Sequence, residues 1–483
     1  MGTAVVVGTV IGSGVFKKPQ VVADNVPYSG VAALVWVGMG LLALLGALAL
    51  AEVAVLFPRA GGNYVFLREG YGRLAGFLWG WVEFLIIRSA SIAALATIFA
   101  QSLSDVFANP AFRETLHLAP AQESFGFWTQ CWLTVAVILG LAVVNVLGVR
   151  WGGMLQLFIT LVKIGSLVGI AVLPFLAVRL APSDAQIASH QVTNLSPWWP
   201  SLSAVDFPKI GAAMVAVLWA YHGWMNIAPV AEEVRYPQRN IPISLIGGVL
   251  IVISVYLGAN LGYYLVIPQS EMAQIKNTTV ATEFSMRLLG PIGAAAASAA
   301  VMCSVFGALN GNLLVGPRLL YAMGEDGLAP RALGNVHPRF RTPALAIMVL
   351  AAWSVLLVLG VALLTKTRLP VFTIGSWPIN LNLQEGKAPF DVMTDFAMFG
   401  AIIFETLAVT TIFVFRRRYP EAERPYRCWG YPVVPILYLF LPAFILTMMF
   451  NNNPTESLAG LGFIVVGACV YFVVFHGKAS GAN

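Results

Sequence analysis

Charged residues are scarce in this 483-residue sequence, since only 10% are Asp, Glu, Lys or Arg whereas 58% are hydrophobic. A soluble domain carries about 25% charged residues. A chain this apolar lacks the polar groups to cover a surface facing water, so lipid is the expected solvent. No long polar linker interrupts the sequence, and we therefore expect a single domain over residues 1–483.

Cysteine is also rare, and the four that occur, Cys131, Cys303, Cys428 and Cys469, show no CxxC spacing. We therefore expect neither a metal site nor a disulfide framework, and no cofactor. The absence of a Walker A loop leaves an ATP-driven pump unsupported, and the absence of HExxH leaves a membrane enzyme without a recognisable catalytic motif. The first apolar run lacks a small-residue cleavage site, so no cleavable signal peptide is expected.

Long apolar runs dominate what is present. Crossing a bilayer takes about 20 mostly apolar residues. Twelve stretches qualify as candidate spans, at about 3–23, 30–56, 74–104, 127–148, 152–178, 209–231, 243–267, 289–322, 343–365, 392–415, 432–450 and 457–475. The sequence therefore predicts an all-α integral membrane protein with twelve transmembrane helices.

The net charge of +6 has a topological explanation, because the basic residues stand in short loops between apolar runs. With a cytoplasmic N-terminus, 16 of the 28 Lys and Arg residues fall on the inner side and 10 on the outer side. An excess of inner positive charge sets the orientation of membrane proteins. We expect an inner-membrane protein with both termini cytoplasmic, contacts with membrane lipid, and no nucleic-acid partner.

Helix-breaking residues interrupt two of the candidate spans. The first reads VVVGTVIGSGVFKKP, with glycines at 8, 12 and 14, and the sixth reads VAVLWAYHGWMNIAPVAEEV, with Gly223 and Pro229. Backbone groups freed in lipid are tolerated where they line a cavity. Paired interruptions in two halves of a chain point to a solute site at the membrane midplane. The alternative is close helix packing through small residues.

The chemistry of such a site follows from its backbone. A half-helix that begins near Ser13 directs unpaired N–H groups and a positive dipole end into the cavity, which suits a carboxylate. The first half of the sixth span ends near Trp219, Ala220 and Tyr221, whose free carbonyls suit an ammonium group. The two breaks together favour a zwitterionic α-amino acid.

Several stretches carry the pattern of a known family: IGSGVF at 11–16, LAEVAVLFPRAGGNYVFLREGYG at 50–72, WAYHGW at 219–224, EEVRYPQRNIP at 232–242, FGALNGNLLVGPRLLYAMGEDGLAP at 306–330 and ERPYRCWGYPVVP at 423–435. They resemble the amino acid–polyamine–organocation superfamily, and within it the L-type amino acid transporters and their bacterial relatives. The resemblance implies alternating access by a five-plus-five inverted-repeat core, with broken helices one and six. Its repeats would span about 1–178 and 209–415, followed by helices eleven and twelve at about 432–475.

The resemblance also implies the substrate-binding residues, which are Ile11, Gly12, Ser13, Gly14, Trp219, Ala220, Tyr221, His222 and Gly223. Trp219 matches the aromatic gate above the substrate. Relatives often read FAYGGWN, whereas here Trp219, His222 and Met225 replace Phe, Gly and Asn. His222 is interpreted either as a neutral residue lining the pocket or as a proton-coupling group.

Ionisable residues inside the spans normally have a partner and a function. Lys163 resembles the fifth-span lysine of sodium-independent members, where an ammonium takes the place of sodium and ties span five to the first span. Glu83 and Arg88 are five residues apart, a spacing that does not stack on an α-helix, so we expect partners from other helices, in a charge pair or a proton relay. Glu52 lies in a second apolar run.

Polar residues near the inner ends of spans leave two interpretations open. Glu232 and Glu233 would either pair with inner-loop arginines as a gate or remain solvated. Asn310 and Asn312 are expected to form hydrogen bonds across helices, and the run at 416–418 is expected to anchor the topology.

The sequence as a whole favours secondary active or facilitative transport of neutral amino acids, independent of sodium. Exchange, proton symport and facilitated diffusion remain open. A polyamine or other organic-cation permease is one alternative, and an integral-membrane enzyme is another. Mammalian L-type members join a glycoprotein through a cysteine in the loop between spans three and four. The corresponding loop, about 105–126, contains no cysteine, so no disulfide-linked heavy subunit is expected.

Overall fold

The computed structural model describes residues 2–108, 125–180, 193–201, 206–275, 278–366, 372–374, 377–379, 389–452 and 454–475. The helices are α1 Gly2–Val10, α2 Gly14–Asn25, α3 Ser29–Leu56, α4 Asn63–Tyr71, α5 Arg73–Val82, α6 Ser89–Ala108, α7 Phe127–Leu147, α8 Val149–Leu180, α9 Phe207–Tyr221, α10 Pro237–Val266, α11 Gln269–Met272, α12 Val280–Val315, α13 Pro317–Glu325, α14 Ala344–Lys366, α15 Pro389–Arg418, α16 Val433–Asn452 and α17 Pro454–Val474. Two strands, β1 Phe372–Ile374 and β2 Trp377–Ile379, pair antiparallel.

Within the described part of the chain, ten helices are long and apolar enough to cross a bilayer. Ten of the predicted spans coincide with these helices, and the prediction of an all-α membrane architecture is confirmed apart from the short ribbon. Many large apolar side chains face outward along them, including Trp132, Phe158 and Val473, which are 59%, 65% and 84% exposed. Lipid is the solvent that such a surface requires.

The first and sixth predicted spans contain shorter helices. α1 has 9 residues, α2 has 12 and α9 has 15. Helical hydrogen bonding stops after the amide of Ile11, which donates to the Val7 carbonyl at 2.9 Å, and resumes with Lys17 donating to Ser13 at 3.0 Å. Gly8 lies within α1 rather than at the interruption. After Tyr221 the backbone turns irregularly and continues as a 3₁₀-helix, Ala228–Glu233.

α1 is enclosed by the rest of the bundle. It packs against α8, α10 and α12, while α2 packs against α9. Glycine lets the neighbouring helix approach, because a β-carbon on Gly248 of α10 would lie 2.7 Å from a methyl group of Val6. Side chains on α1 are accordingly buried, with Val6 fully inaccessible. The interruption at the end of α1 therefore lies in the interior of the bundle.

Candidate functional site

The first interruption exposes backbone donors in the bundle interior. Among the described residues, no acceptor is bonded to the amides of Gly12, Ser13 and Gly14. The Ser13 hydroxyl is buried and likewise has no hydrogen-bond partner there. α2 begins at Gly14, so its positive dipole end is directed at the same place. These donors form a potential anion site.

Lys163 binds backbone carbonyls of this interruption. Its Nζ donates to the carbonyls of Gly8 and Ile11, both at 2.7 Å, and the residue is only 1% exposed. The Ser304 hydroxyl of α12 lies 3.3 Å from the Ile11 carbonyl and 3.1 Å from the Gly12 carbonyl, and it donates to one of them at a time. The predicted tie between span five and the first span is thus present, and it occupies the carbonyls of Gly8 and Ile11.

The second interruption offers fewer free carbonyls than the sequence suggested. The Trp219 carbonyl accepts from the His222 amide at 3.3 Å, and the Ala220 carbonyl accepts from the Tyr256 hydroxyl at 2.9 Å. The Tyr221 carbonyl has no donor within the described residues. A second lone pair on each oxygen remains available, so the carbonyls at this break retain the capacity to bind an ammonium group.

The two interruptions touch each other. A β-carbon on Gly14 would lie 2.5 Å from the Ala220 Cα, so only glycine permits this approach. Tyr256 of α10 reaches both segments, because its hydroxyl also lies 3.2 Å from the Val10 carbonyl. Gly223 has a φ of +97°, a conformation that favours glycine. Glycines thus make both the contact and the turn possible.

Beside this contact lies a cleft lined by Thr9, Val10, Gly12, Gly14, Ser91, Leu95, Trp219, His222, Gly223, Asn226 and Asn312. Five of the predicted binding residues are brought together there: Gly12, Gly14, Trp219, His222 and Gly223. The remaining four, Ile11, Ser13, Ala220 and Tyr221, lie in the adjoining backbone and do not line the cleft. Tyr221 instead lines a neighbouring pocket that His222 also lines.

Other segments supply polar groups that were not predicted for the site. Ser91 and Asn226 line the cleft, and Asn312 lines it beside them. Asn312 Oδ1 accepts from Arg88 Nη1 at 2.7 Å. Asn310, two residues earlier, accepts from Asn145 at 3.0 Å and donates to a buried glutamine at 3.1 Å. The expectation of hydrogen bonds across helices is therefore confirmed for both α12 asparagines.

Glu83 and Arg88 bind each other, contrary to the expectation that other helices alone supply their partners. They lie at the two ends of a π-helix, Glu83–Arg88, whose i→i+5 hydrogen bonding aligns residues five apart. Arg88 Nε donates to Glu83 Oε1 at 2.8 Å, and Nη2 contacts the same oxygen. Asn226 Oδ1 accepts a further bond from Arg88 at 3.1 Å. All three guanidinium nitrogens are thus bonded, to one carboxylate and two amides.

His222 contacts a carboxylate that sequence reasoning missed. Its Nδ1 lies 3.2 Å from Oε1 of Glu405 on α15. The indole of Trp219 lies nearly parallel to the imidazole, at 13° with ring centroids 6.4 Å apart. The signal for Glu405 was present in the sequence as a single acidic residue within the apolar stretch 398–415. Such a residue in a membrane helix is a functional candidate by default.

Three ion pairs join helix ends. Glu52, 1% exposed, accepts from Arg416 at 2.9 and 2.7 Å, so part of the basic run at 416–418 has a structural contact in addition to its expected anchoring role. Glu233 pairs with Arg318 at 2.9 Å, as one of the two interpretations of this glutamate requires. Arg68 contacts Asp326. These pairs connect α3 with α15, the 3₁₀-helix with α13, and α4 with the end of α13.

Comparisons with known proteins agree with this architecture. The family model for amino acid permease matches residues 2–475. The serine/threonine exchanger SteT of Bacillus subtilis (strain 168) is 31% identical over 480 residues, covering 98% of this chain and 95% of the relative. The human b(0,+)-type amino acid transporter 1 is 29% identical, with coverage of 100% and 88%.

The human cystine/glutamate transporter is 26% identical over 481 residues, covering 99% of this chain and 85% of the relative. The family and these relatives are transporters rather than enzymes. The chain therefore belongs to the amino acid permease family, and it is a multi-pass membrane protein that transports and exchanges amino acids.

Proposed function

We propose that the chain exchanges neutral α-amino acids across the cytoplasmic membrane by alternating access of two five-helix repeats, with the cleft between the two interruptions as the substrate site. The observation that carries this proposal is the position of the free amides of 12–14. They adjoin a cleft that is also lined by Trp219 and Gly223 of the second interruption. Donors and acceptors within one cleft suit a carboxylate and an ammonium on one carbon atom.

The lining of the cleft favours small, uncharged, polar side chains. Thr9, Ser91 and Asn226 contribute hydrogen-bonding groups, and the aliphatic contribution comes mainly from Leu95 and Val10. Arg88, which bonds Asn226 and Asn312 of the lining, is already paired with the Glu83 carboxylate, and Lys163 is bonded to backbone carbonyls. An acidic substrate side chain would therefore meet no free positive charge there. The related exchanger SteT is named for serine and threonine, which are substrates of this kind.

Lys163 supports transport that is independent of sodium. Its ammonium group bonds two carbonyls of the first interruption, and carbonyl oxygens are the ligands that a sodium ion would need. A fixed positive charge at this position disfavours a bound cation by repulsion. We infer that substrate exchange proceeds equally in sodium and potassium buffers.

Twelve crossings with both termini cytoplasmic complete the proposed topology, with the segments at 3–23 and 209–231 crossing as broken helices. Most of the loop at 105–126 lies outside the described residues, yet its sequence contains no cysteine. A disulfide bond to a partner through this loop is chemically impossible. We therefore propose that the chain acts without a disulfide-linked heavy subunit, and co-purification of a stable subunit would contradict this.

Counterflow in proteoliposomes tests the proposed function. Vesicles loaded with one unlabelled amino acid and diluted into a trace of the same labelled amino acid should accumulate label, and empty vesicles should not. A competition series of the twenty amino acids and simple polyamines should rank small neutral amino acids first. Polyamines should fail to compete, since they lack a carboxylate for the free amides. Stronger inhibition by a diamine than by every amino acid would favour an organic-cation permease instead.

A further inference from the structure

Two asparagine amides at the edge of the cleft bind the same guanidinium group. Arg88 Nη1 donates to Asn312 Oδ1 at 2.7 Å, and Arg88 Nη2 donates to Asn226 Oδ1 at 3.1 Å. A guanidinium group has N–H donors and no acceptor. Each amide must therefore turn its oxygen towards Arg88 and its NH₂ group away from it. Arg88 is itself held by Glu83, so it fixes the orientation of both amides.

The two NH₂ groups differ in the acceptors that they meet. Asn312 Nδ2 donates to the Ala308 carbonyl at 2.8 Å, one turn earlier on α12. Asn226 Nδ2 has no acceptor within the described part of the chain, although the residue is only 5% exposed. An enclosed donor without an acceptor is costly. A bound molecule that supplies an acceptor is therefore stabilised at this place.

The position of Gly223 locates this NH₂ group at the wall of the cleft. A β-carbon on Gly223 would lie 2.9 Å from Asn226 Nδ2 and 3.6 Å from the Thr9 carbonyl oxygen. Asn226, Gly223 and Thr9 all line the cleft, together with Gly12 and Gly14 of the first interruption. A substrate whose carboxylate binds the free backbone amides therefore places a short side chain in the same cleft as the unpaired NH₂ group.

The hydroxyl groups that line the cleft complement this donor. The Ser91 hydroxyl donates to the Ile87 carbonyl at 2.6 Å, and the Thr9 hydroxyl donates to the Val5 carbonyl at 2.8 Å. Each hydroxyl has only one proton, so what it can offer a substrate is a lone pair, whereas Asn226 offers N–H donors. A hydroxyl or carboxamide on the substrate can both donate and accept. An aliphatic side chain can do neither.

We propose that Asn226 is a specificity-determining residue, which recognises the substrate side chain by donating to a hydroxyl or carboxamide oxygen. Arg88 is a positioning residue that does not touch the substrate, because it holds the amide with its NH₂ group directed away from the guanidinium. This inference rests on the proposed exchange of amino acids and specifies which group of the site selects among them. The protein then prefers amino acids with a polar uncharged side chain over aliphatic ones of the same shape.

Threonine and valine test this preference in the unmodified protein, because they have the same shape and differ in a hydroxyl group that replaces a methyl group. Counterflow of labelled alanine into alanine-loaded proteoliposomes is measured at increasing concentrations of either competitor. A site that hydrogen-bonds a substrate hydroxyl discriminates strongly against the analogue that lacks it, so threonine should inhibit at a concentration at least about tenfold lower than valine. Equal inhibition by the two amino acids would overturn the inference.

The variant Asn226→Leu assigns the preference to this amide, because leucine has a similar size but can neither donate nor accept. The ratio of the valine to the threonine half-inhibitory concentration should fall close to one, mainly because threonine binds more weakly. Asn335→Leu, at an exposed asparagine outside the cleft, is the matched control and should keep the ratio of the unmodified protein. An unchanged ratio in Asn226→Leu would overturn the assignment. An equal loss of threonine and valine binding would also overturn it, since the amide would then serve the carboxylate that all substrates share.

The variant Arg88→Lys tests the positioning role separately. Lysine keeps a positive charge beside Glu83, but its ammonium group lacks the planar fork that bonds both amides. The ratio should fall while inhibition by valine and the elution volume in size-exclusion chromatography stay unchanged, which a purely structural role would not produce. A ratio equal to that of the unmodified protein would show that Arg88 does not orient the amide.

Counterflow of alanine separates this inference from the proposed function. Normal counterflow with equal inhibition by threonine and valine leaves amino acid exchange standing and removes the selection by Asn226. Absent counterflow in the unmodified protein overturns both. If Asn226→Leu cannot be purified in a monodisperse form, the comparison of threonine with valine in the unmodified protein still decides the preference.

Discussion

Gly14 lies against Ala220 so closely that a β-carbon on Gly14 would come within 2.5 Å of the Ala220 Cα. The atom in the way belongs to the backbone, so it cannot rotate aside as the end of a flexible side chain would. The first residue of α2 and the end of α9 are therefore in direct contact at the edge of the cleft. A change in the position of one interruption must be transmitted to the other.

Gly14→Ala should separate the interruptions and reduce counterflow by more than about tenfold, since small displacements of binding groups have large effects on rate. Gly38→Ala is the matched control, because a β-carbon at Gly38 meets nothing within 4 Å. Alanine is also the better helix former, so the control should retain full counterflow and thermal stability. Transport by Gly14→Ala at the level of the control would show that the close approach is not required.

Lys163→Ala should abolish uptake while leaving folded protein, because it releases the carbonyls of Gly8 and Ile11 that the ammonium holds at 2.7 Å. Each hydrogen bond to a charged group contributes about 1.5 to 3 kcal/mol, so the first interruption should lose its fixed geometry. Counterflow and size-exclusion chromatography on the same preparation measure the two properties.

Lys209→Ala is the comparison for this experiment, because Lys209 is 61% exposed and its nearest carboxylate oxygen is 3.9 Å away. That variant should transport normally. Undiminished uptake by Lys163→Ala would contradict the role of the lysine. An increase in uptake on replacing potassium by sodium, in the unmodified protein, would contradict sodium independence.

Glu83→Met should destabilise the protein by about 3 to 5 kcal/mol, because it leaves Arg88 buried without its carboxylate. Arg88→Met should destabilise the protein by a similar amount, because it leaves the Glu83 carboxylate buried without its guanidinium. The double variant removes both charges and should be more stable than either single variant, as coupled residues require. Thermal unfolding midpoints of the three variants in detergent measure this coupling. Additive losses in the double variant would show that the pair makes no favourable contact.

Cys428, in the connection between α15 and α16, should react slowly with maleimides at neutral pH. Burial, reinforced by the nearby Glu52 carboxylate and opposed by Arg416, raises the pKa of its thiol to about 11. The thiolate is the reactive form. The labelling rate should therefore rise about tenfold for each pH unit between pH 7 and 10.

Glu52→Gln should accelerate this labelling at pH 8, because it removes the negative charge that opposes the thiolate and the carboxylate that accepts from the Cys428 amide at 2.6 Å. Site-specific mass spectrometry follows the labelling of Cys428 in the variant and in the unmodified protein side by side. Equal rates at Cys428 in the variant and the unmodified protein would refute the electrostatic explanation.

Much of the fold could be predicted because lipid imposes a simple rule on sequence. The predicted span 30–56 agrees with α3, Ser29–Leu56, and 127–148 agrees with α7. The eighth span was predicted to begin at 289, yet α12 begins at Val280. Gly290, with φ +67° and ψ −158° and followed by proline, is non-helical and separates a first, more polar helical stretch from the apolar helix that continues to Val315. Hydropathy therefore located the apolar helix after Gly290 and missed the more polar helical stretch that precedes it.

The site was predictable where a single segment determines it. The interruption around Gly12 was expected from local sequence, and the contact from Lys163 was expected from the family resemblance. The π-helix from Glu83 to Arg88 was not expected, because on an ideal α-helix residues five apart point about 140° away from each other. No local composition marks the extra residue that a π-helix inserts into an α-helix. Glu405 and Asn226 were missed for a different reason. Their place in the site depends on how distant helices are rotated.

Tyr256 places a single hydroxyl within reach of two carbonyls, those of Val10 at 3.2 Å and Ala220 at 2.9 Å. A hydroxyl carries one proton, so at any instant it can bond α1 or α9 but not both. The carbonyl oxygen that is not bonded at that instant remains within reach, so it can accept the hydrogen bond when its own segment shifts. The tyrosine can thus pass its single hydrogen bond from one half-helix to the other. Exchanging the Val10 carbonyl for the Ala220 carbonyl keeps the number of hydrogen bonds from this hydroxyl constant.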